Sequence, residues 1–275
     1  MSALLVKNAY GKSAIRLVKV VREGAPHRIH DCTVAVSLEG EFESAHTQGI
    51  NSGVLPTDTM KNTVFALAKD AVLDEPERFA LLLARHFLDA SASASRATIE
   101  LMVHRWDRVG GHAFTRGSAE RRVAVVSATR EGMDLEAGID GLGLLKTAGS
   151  GFEGFPRDKY TTLKETADRI FATDLTARWR YAGFPHSCDT AFDRVRTALI
   201  ESFAAHQSRS VQHTLYAMGE AAIAACPELT EIDLTMPNRH HLLVDLMPFG
   251  LENPNEIFVA TTEPHGLIKG TIARK

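Results

Sequence analysis

The sequence repeats one order of secondary-structure patterns, and this repeat limits the possible folds more than any other feature. In each half, two runs of alternating or β-rich residues are followed by two helical patterns and then by further strands. In the first half the patterns lie at Ser13–Arg22, Thr33–Leu38, a helix starting near Thr59, a helix from about Asp74, Ile99–Val103 and Arg121–Ala128. In the second half they lie at Leu142–Lys146, Thr176–Tyr181, Asp189–His206 and Ser208–Ala225, with strands closing the chain.

A local similarity within the chain supports duplication. Thr59–Leu67 resembles Ser210–Met218 at a constant offset of 151 (210 − 59), with identical residues at Thr63/Thr214 and Ala66/Ala217. Self-similarity of this kind is typical of repeated units. We therefore predict two tandem domains, 1–136 and 137–275, with the boundary between Gly132 and Gly141.

The order of the elements predicts an α+β fold in which antiparallel sheets carry helices on one face. Such a sheet buries only one face, and its edge strands remain open to pairing with other strands. Pairing of edges between copies is a natural way to close them, and it would place sites at chain interfaces. We therefore expect an oligomer.

Composition narrows the class of partner. The 275 residues are 44% hydrophobic and 24% charged, with a formal net charge of -3, so no basic field would attract nucleic acid or an anionic membrane. A small-molecule partner is the default expectation. The three cysteines show no paired metal-ligand spacing, which favours reduced, buried thiols and a cytoplasmic location; they are Cys32, Cys188 and Cys226.

One segment places reactive groups at a predicted helix start. Thr57, Asp58 and Thr59 follow Pro56, which ends any preceding strand and favours a helix after it. Threonine and aspartate are common helix caps, so a structural cap is the ordinary interpretation of this segment alone. Other parts of the chain point to a different use of Thr57.

Several motifs together resemble the urate oxidase (uricase) family. The most specific runs from Leu142 to Arg169 and has the spacing of that family's signature at Phe152, Phe155, Tyr160, Leu163 and Arg169. Further matches extend the resemblance over nearly the whole chain; they are Tyr10-Gly11-Lys12, Thr57-Asp58, Ser210-Val211-Gln212, Met236–His240 and Asn253–Glu256.

The resemblance implies a fold and a reaction. Members of the family have two tandem tunnelling-fold (T-fold) domains per chain and assemble as homotetramers, whose strands form a barrel around a central channel. They oxidise urate with molecular oxygen and water to 5-hydroxyisourate and hydrogen peroxide, using no metal and no organic cofactor. The sequence shows neither a glycine-rich dinucleotide fingerprint nor a recognisable metal motif.

The resemblance also implies a substrate site for a flat purine. Phe152 would stack on the ring, Arg169 would bind one edge through its planar guanidinium, and Gln212 would bind the opposite edge. The backbone amide of Val211 would add a donor. Asp58 would contact urate mainly through its own backbone amide.

Proton transfer is assigned by the same resemblance. Lys12 would be the catalytic lysine, Thr57 its hydrogen-bonded proton relay and His240 the third member, while Thr59 serves as the structural cap. A lysine accepts a proton near neutral pH only when burial destabilises its ammonium. Asn238, in a break between strands after Pro237, would bind oxygen or the attacking water. The residue after His240 would lie on the opposite face of its strand as a spectator.

In the family the site lies between chains. One chain would supply Lys12, Thr57 and Asp58, and its neighbour would supply Phe152, Arg169 and Gln212. Two alternatives remain open. One is a zinc-dependent pterin-type enzyme of the same fold, although His104 and His112 form no recognisable ligand set. The other is a non-catalytic purine-binding paralogue.

Overall fold

The computed structural model describes residues 3–24 and 26–275, which divide into two compact units. The first unit contains the chain up to Gly138 together with Arg180–Phe192, and the second contains Ile139–Trp179 and Asp193–Lys275. Antiparallel strands with helices packed against them make up each unit. This confirms the predicted α+β class.

The predicted strands and helices are all present, mostly with longer bounds. Up to Ala128 the elements are β1 (Tyr10–Val21), β2 (Arg28–Gly40), α1 (Glu43–Thr47), α2 (Thr57–Asp70), α3 (Pro76–Ala90), β3 (Ala94–Arg108) and β4 (Phe114–Ala128). They are followed by β5 (Met133–Lys146), β6 (Phe171–Tyr181), α4 (Cys188–Ala205), α5 (Val211–Ala225), β7 (Leu229–Asn238), β8 (His241–Leu243), a 3-10 turn (Met247–Phe249), β9 (Phe258–Ala260) and β10 (Gly266–Ala273).

In the first unit, β1 to β4 pair in chain order, each antiparallel to the next. Alternate residues face the helices: Val34 is fully buried and lies opposite Ile15 on β1 and Leu101 on β3. Helix α2 packs on β1, and α3 packs on β3 and β4. The core therefore lies between one face of the sheet and these two helices.

In the second unit, β7 pairs antiparallel with β10, and α5 packs on both strands. Gly219 permits this close packing, because a Cβ there would lie 2.5 Å from Cδ1 of Ile272. A separate two-stranded ribbon is formed by β8 and β9. Its first strand starts three residues after the end of β7, so the ribbon follows directly from the segment that carries Asn238 and His240.

The two units repeat at an offset of 135 residues, not 151. Helix α5 begins 135 residues after α3 (211 − 76), and β7 begins 135 residues after β3 (229 − 94). The predicted pairing of Thr63 with Thr214 is wrong, because it matched α2 with a helix that occupies the place of α3. Two shared residues could not distinguish these helices.

Burial supports the new offset. The buried residues of α2 and β3 each correspond to a buried residue 135 positions later: Met60/Val195, Val64/Leu199, Ala68/Phe203, Ala94/Leu229, Ala97/Ile232, Ile99/Leu234 and Leu101/Met236. The duplicated architecture is thus present over α2 to β3 and its counterpart. The exact boundary between domains 1–136 and 137–275 stays a prediction.

Candidate functional site

Lys12 lies near the start of β1, where the strand is irregular. It pairs with Val36, and the register then shifts before Ile15, with Ala14 in the left-handed region at φ 57°. The preceding residue must be glycine, because a Cβ at Gly11 would lie 1.8 Å from the carbonyl oxygen of Val36. Irregularities of this kind re-aim side chains at strand edges. Lys12 is half-buried at this point.

Helix α2 begins at Thr57, one residue after Pro56 in the cap position. Thr59 is therefore in the first turn, and its predicted role as the cap is wrong. The proline side chain has no hydrogen-bond acceptor, so Pro56 cannot bind the first amides of the helix through its side chain. The first helical bond runs from the Met60 amide to the Pro56 carbonyl. The Asp58 amide, in the first turn, therefore has no acceptor within the helix.

The Asp58 carboxylate bonds within its own helix. It accepts hydrogen bonds from Lys61 Nζ at 2.5 Å and from Asn62 Nδ2 at 3.0 Å. The hydrogen bond and charge of Lys61 lower the pKa of Asp58, and the charge of Lys12 contributes a smaller effect in the same direction. Helix α2 packs on β1, the strand that carries Lys12, whereas the hydrogen bond between Lys12 and Thr57 stays a prediction.

Phe152 is held in the loop after β5 by the backbone of Thr166. The Phe152 amide donates to the Thr166 carbonyl at 2.7 Å, and the Thr166 amide donates back at 3.2 Å. Gly151 permits the close approach, because a Cβ there would lie 2.8 Å from the Ala167 carbonyl oxygen. Phe155 stacks on Phe152 with centroids 5.0 Å apart and planes at 12°. One face of Phe152 is therefore covered by Phe155.

The Arg169 guanidinium lies over the Phe152 ring. The carbon at the centre of this guanidinium is 5.4 Å from the centroid of Phe152, and burial lowers its pKa. The preceding residue anchors the segment, because the Asp168 carboxylate accepts the Ser150 amide at 3.1 Å. Ser150 precedes Gly151 and Phe152, so the structure brings the predicted stacking residue and the predicted guanidinium together.

A short parallel bridge joins the Phe152 loop to the segment before α5. The Ser208 amide donates to the Gly149 carbonyl at 2.9 Å, and the Gly151 amide donates to the Ser208 carbonyl at 2.9 Å. The loop of Phe152 and the start of α5 at Val211 are consequently part of one hydrogen-bonded frame.

Helix α5 has a serine cap that leaves two amides available. Ser210 Oγ accepts the His213 amide at 3.1 Å, and the Thr214 amide bonds to the Ser210 carbonyl. The first two amides of the helix, on Val211 and Gln212, have no acceptor within it. Val211 is buried and the Gln212 side chain is exposed. This helix start presents a backbone donor next to a side-chain amide.

Asn238 is the last residue of β7, so its predicted place in a break between strands is wrong by one residue. It pairs with Gly266, whose missing side chain leaves space beside it. The strand ends after Asn238, and the amide of the next residue, Arg239, donates to the Ala172 carbonyl at 2.9 Å. His240 is therefore between strands, contrary to the prediction, and is half-buried.

Arg239 holds the segment of His240 in place. Its guanidinium binds Asp174 at 2.9 and 3.0 Å and donates to the Thr262 carbonyl at 3.1 Å. His241 begins β8, so strand alternation does not relate it to His240. Its spectator role stays a prediction.

The three cysteines are buried, as predicted. Burial raises the pKa of Cys32 and Cys188 to about 12 and that of Cys226 to about 11. All three thiols therefore stay protonated near neutral pH, where a thiol is a poor nucleophile and a poor metal ligand.

Over residues 3–24 and 26–275, no three His, Cys, Asp or Glu side chains are grouped as metal ligands would be. His104 instead bonds to Thr33 Oγ1 through Nε2 at 2.8 Å. The same residues include no helix that is long and apolar enough to cross a bilayer.

Sequence reasoning missed two residues that organise this geometry. Tyr10 was visible only as part of the Tyr10-Gly11-Lys12 motif, and its hydroxyl bonds to the amide of Leu55 before α2. Asp168 stands beside Arg169 in the signature, and nothing in the spacing indicated its bond to Ser150. Both contacts join segments that are distant in the chain, so no local pattern reports them.

Comparison with known proteins decides the family. The family model described as Uricase matches residues 8–127 and again residues 135–269. The chain belongs to the uricase family. The two matched segments agree with the tandem repeat, and family membership makes the chain an enzyme of the oxidoreductase class with tandem T-fold domains. The matches favour neither the zinc-dependent alternative nor the non-catalytic one.

Individual uricases extend this result over the full chain. The uricase of Arthrobacter globiformis is 47% identical over 274 residues, covering 99% of this chain and 90% of that protein. The Aspergillus flavus uricase is 34% identical, covering 96% and 95%. A crystal structure of the Arthrobacter globiformis uricase matches with a TM-score of 0.97 at 46% identity, covering 100% of this chain and 96% of that one.

Proposed function

We propose that this chain oxidises urate with molecular oxygen and water to 5-hydroxyisourate and hydrogen peroxide, without a metal or organic cofactor. Family membership supports the reaction. The observation that carries the assignment to this site is the frame of the second unit, which brings together an aromatic face, a guanidinium and a helix start. Those are the groups that a flat, polar, anionic ring requires.

In the proposed complex, urate stacks on the Phe152 ring. Arg169 binds one edge of the ring, while Gln212 and the amide of Val211 bind the other. The bridge through Ser208 supports this arrangement, because it links the stacking loop to the helix start and so limits their relative movement. Binding from both edges holds the purine in one plane and orients it for reaction.

In this proposal the proton chemistry uses Lys12 and Thr57 of the first unit and His240 of the second unit. Lys12 accepts a proton from urate through the hydroxyl of Thr57, and His240 exchanges protons with Lys12. Asp58 donates its amide to urate, which fits a carboxylate already occupied by Lys61 and Asn62. The urate anion then gives two electrons to oxygen, water adds to the oxidised ring, and oxygen leaves as hydrogen peroxide.

Asn238 would bind oxygen or water above the ring. Its position at the end of β7 is rigid on one side, through the pairing with β10, and opens on the other to the segment of His240. A residue at a strand end is well suited to this task, because the strand fixes its backbone while its side chain remains available.

We further propose a homotetramer with sites between chains, in the cytoplasm and without nucleic-acid or membrane partners. In the part of the chain that the structure describes, β1 pairs only with β2 and β10 only with β7. These edges have unused backbone groups that a second copy can pair with. A site shared between copies would take Lys12, Thr57 and Asp58 from one chain and Phe152, Arg169 and Gln212 from another.

The deciding experiment mixes metal-stripped protein with urate. Loss of urate absorbance, oxygen uptake and peroxide release should occur together in equal molar amounts. Absence of oxygen uptake would refute the oxidase, and activity that returns only with added metal would refute the cofactor-free route. Light scattering on the same sample should show a tetramer; a fully active monomer would refute the shared site.

Variants of the proposed dyad test the mechanism. Lys12→Met and Thr57→Ala should each lower kcat by about 10²- to 10⁴-fold, the usual contribution of a positioned proton-transfer group. Urate binding, followed by equilibrium dialysis without oxygen, should change little because the ring is held by the other residues. Lys69→Met, at an exposed position near the other end of the same helix, is the control. Normal turnover in both dyad variants would remove the dyad from the mechanism.

A further inference from the structure

The Tyr10 hydroxyl ties the strand of Lys12 to the start of the helix that carries Thr57. It accepts a hydrogen bond from the Leu55 amide at 2.8 Å. Tyr10 is two residues before Lys12, and Leu55 is two residues before Thr57. One hydrogen bond therefore links the backbones on which both members of the proposed dyad are mounted.

Leu55 needs an acceptor outside the helix. Pro56 restricts Leu55 to extended conformations, so the Leu55 amide cannot join the ladder of α2. An amide left without a partner in a partly buried place costs free energy, and the Tyr10 oxygen supplies that partner.

The Tyr10 ring is itself fixed. It packs edge-to-face on Phe42, with centroids 4.7 Å apart and planes at 80°, and Phe42 is buried. Burial raises the pKa of Tyr10 above its ordinary value, so the hydroxyl is neutral near neutral pH. A neutral, rigidly held phenol is a well-defined acceptor.

A second tether joins the same strand and helix at the other end. Lys19 Nζ donates to the carbonyls of Ala68, Lys69 and Ala71 at 2.9, 2.9 and 2.8 Å, and so caps the C-terminal end of α2. Both tethers stabilise the packing of α2 on β1. Only the Tyr10 tether is next to Lys12 and Thr57.

We propose that Tyr10 is a positioning residue for proton transfer between Lys12 and Thr57. The inference rests on the proposed function. Proton transfer requires the two groups within hydrogen-bond reach, and small displacements of reacting groups lower rates strongly. The Tyr10 hydroxyl sets the distance between the two backbones without touching urate itself.

The test compares Tyr10→Phe with Lys19→Met. Tyr10→Phe keeps the ring and removes only the hydroxyl, and it should lower kcat by about 10-fold, within the range that misplaced catalytic groups produce. KM for urate should stay within about twofold, since the ring is bound by other residues. Lys19→Met removes the distant tether, so it should lower Tm and leave kcat unchanged.

Two activity results would overturn the inference. One is wild-type kcat in Tyr10→Phe; the other is an equal fall of kcat in Lys19→Met, which would show that any loosening of α2 has the same effect. Loss of the folded assembly in Tyr10→Phe would overturn it too, because the hydroxyl would then be a requirement of the fold.

A measurement that does not depend on activity separates this inference from the proposed function. Hydrogen exchange of the Leu55 amide should be faster in Tyr10→Phe than in the wild type and unchanged in Lys19→Met. Turnover of urate by the wild type tests the proposed function alone. Unchanged exchange at Leu55 would refute the tether whatever the reaction proves to be.

Discussion

The first turns of α3 and α5 occupy the same place in the two repeated units but have different surroundings. At the offset of 135 residues, Glu77 in α3 corresponds to Gln212 in α5. Glu77 is fully buried, whereas the Gln212 side chain is exposed. One duplicated position thus carries a buried carboxylate in the first unit and an accessible amide in the second.

In the first unit, Glu77 is bound by charged side chains of the same unit. Arg122 binds the Glu77 carboxylate at 2.8 and 3.0 Å and Asp189 at 2.5 Å, and its guanidinium packs over the Phe192 ring at 4.5 Å. The neighbouring Glu75 is also used internally: it accepts Ser187 Oγ at 3.0 Å and the Cys188 amide at 2.7 Å, and so occupies the start of α4. The first unit satisfies these groups from within.

The second unit leaves the corresponding place open. Ser210 caps the His213 amide, and the amides of Val211 and Gln212 remain free of helical acceptors. The duplicated fold thus has two equivalent helix starts: the residue in the first unit is buried and bound by internal partners, and the one in the second unit is exposed. Changes at the two positions should therefore affect stability in one case and substrate binding in the other.

The largest expected effect is a loss of stability when the buried Glu77 loses its partner. Arg122→Met leaves the buried Glu77 carboxylate without its partner, and breaking a buried pair in this way costs about 3–5 kcal/mol. Thermal unfolding at a fixed protein concentration should show a large fall in Tm. The double variant Glu77→Leu/Arg122→Met removes both charges and should recover much of the loss. A wild-type Tm in Arg122→Met would show that the pair of Glu77 and Arg122 does not stabilise the fold.

Glu75→Gln should have a smaller effect that depends on pH. Burial alone would raise the pKa of Glu75, but hydrogen bonds from Arg78, Ser187 and Asp189 outweigh it, so the folded-state pKa is lowered. A lowered carboxylate pKa gives stability that is present above the unfolded-state value of about 4.3 and is lost as pH falls through the folded-state value.

The Glu75→Gln variant should therefore lose about 1–2 kcal/mol at neutral pH, near the lower end of values for hydrogen bonds to charged groups. Denaturant titrations at several pH values should show the difference from wild type shrinking below about pH 4. Glu131→Gln, at an exposed position, is the matched control. A difference that is constant with pH would show that the charge of Glu75 does not act at the start of α4.

A change at Gln212, the exposed position of the second unit, should alter urate binding and not stability. Gln212→Glu places the residue type of the first unit at the equivalent position of the second, where its charge would oppose anionic urate. We expect KM to rise by about 10-fold or more, the range for losing a good polar contact, with Tm unchanged because the side chain is exposed. Glu220→Gln on the same helix is the control. A fall in Tm with a normal KM would show that Gln212 serves stability and not substrate binding.

The sequence predicted the elements well and their alignment poorly. Apolar periodicity located α2 to α5 and the main strands, because each buries one face of a long segment. It missed α1, whose five residues contain no buried position. The offset of 151 failed because a similarity of a few residues cannot show which helix follows which strand. The constant offset of 135 appears only when the bounds of the elements are known.

The site residues came from the family resemblance, and local chemistry alone would not have singled them out. Lys12, Phe152 and Gln212 each have ordinary structural alternatives in isolation. The prediction that Thr59 caps α2 was wrong because Pro56 occupies the cap position. Where the helix starts depends on the conformation of the chain before it, which a local pattern does not show. The bond of Tyr10 to Leu55 and that of Glu75 to Cys188 join distant segments, so only the folded structure shows them.

The smallest expected effect concerns the cap that shapes the open helix start. Ser210→Ala removes the acceptor of the His213 amide, and loss of a serine cap costs about 1 kcal/mol. Tm should fall slightly. KM should also rise modestly, because fraying of the first turn would disorder the amides of Val211 and Gln212, whereas Ser210→Asp keeps an acceptor and should restore both quantities. If Ser210→Ala lowers Tm but leaves KM unchanged, the cap is only structural, and the open start of α5 does not depend on it for its geometry.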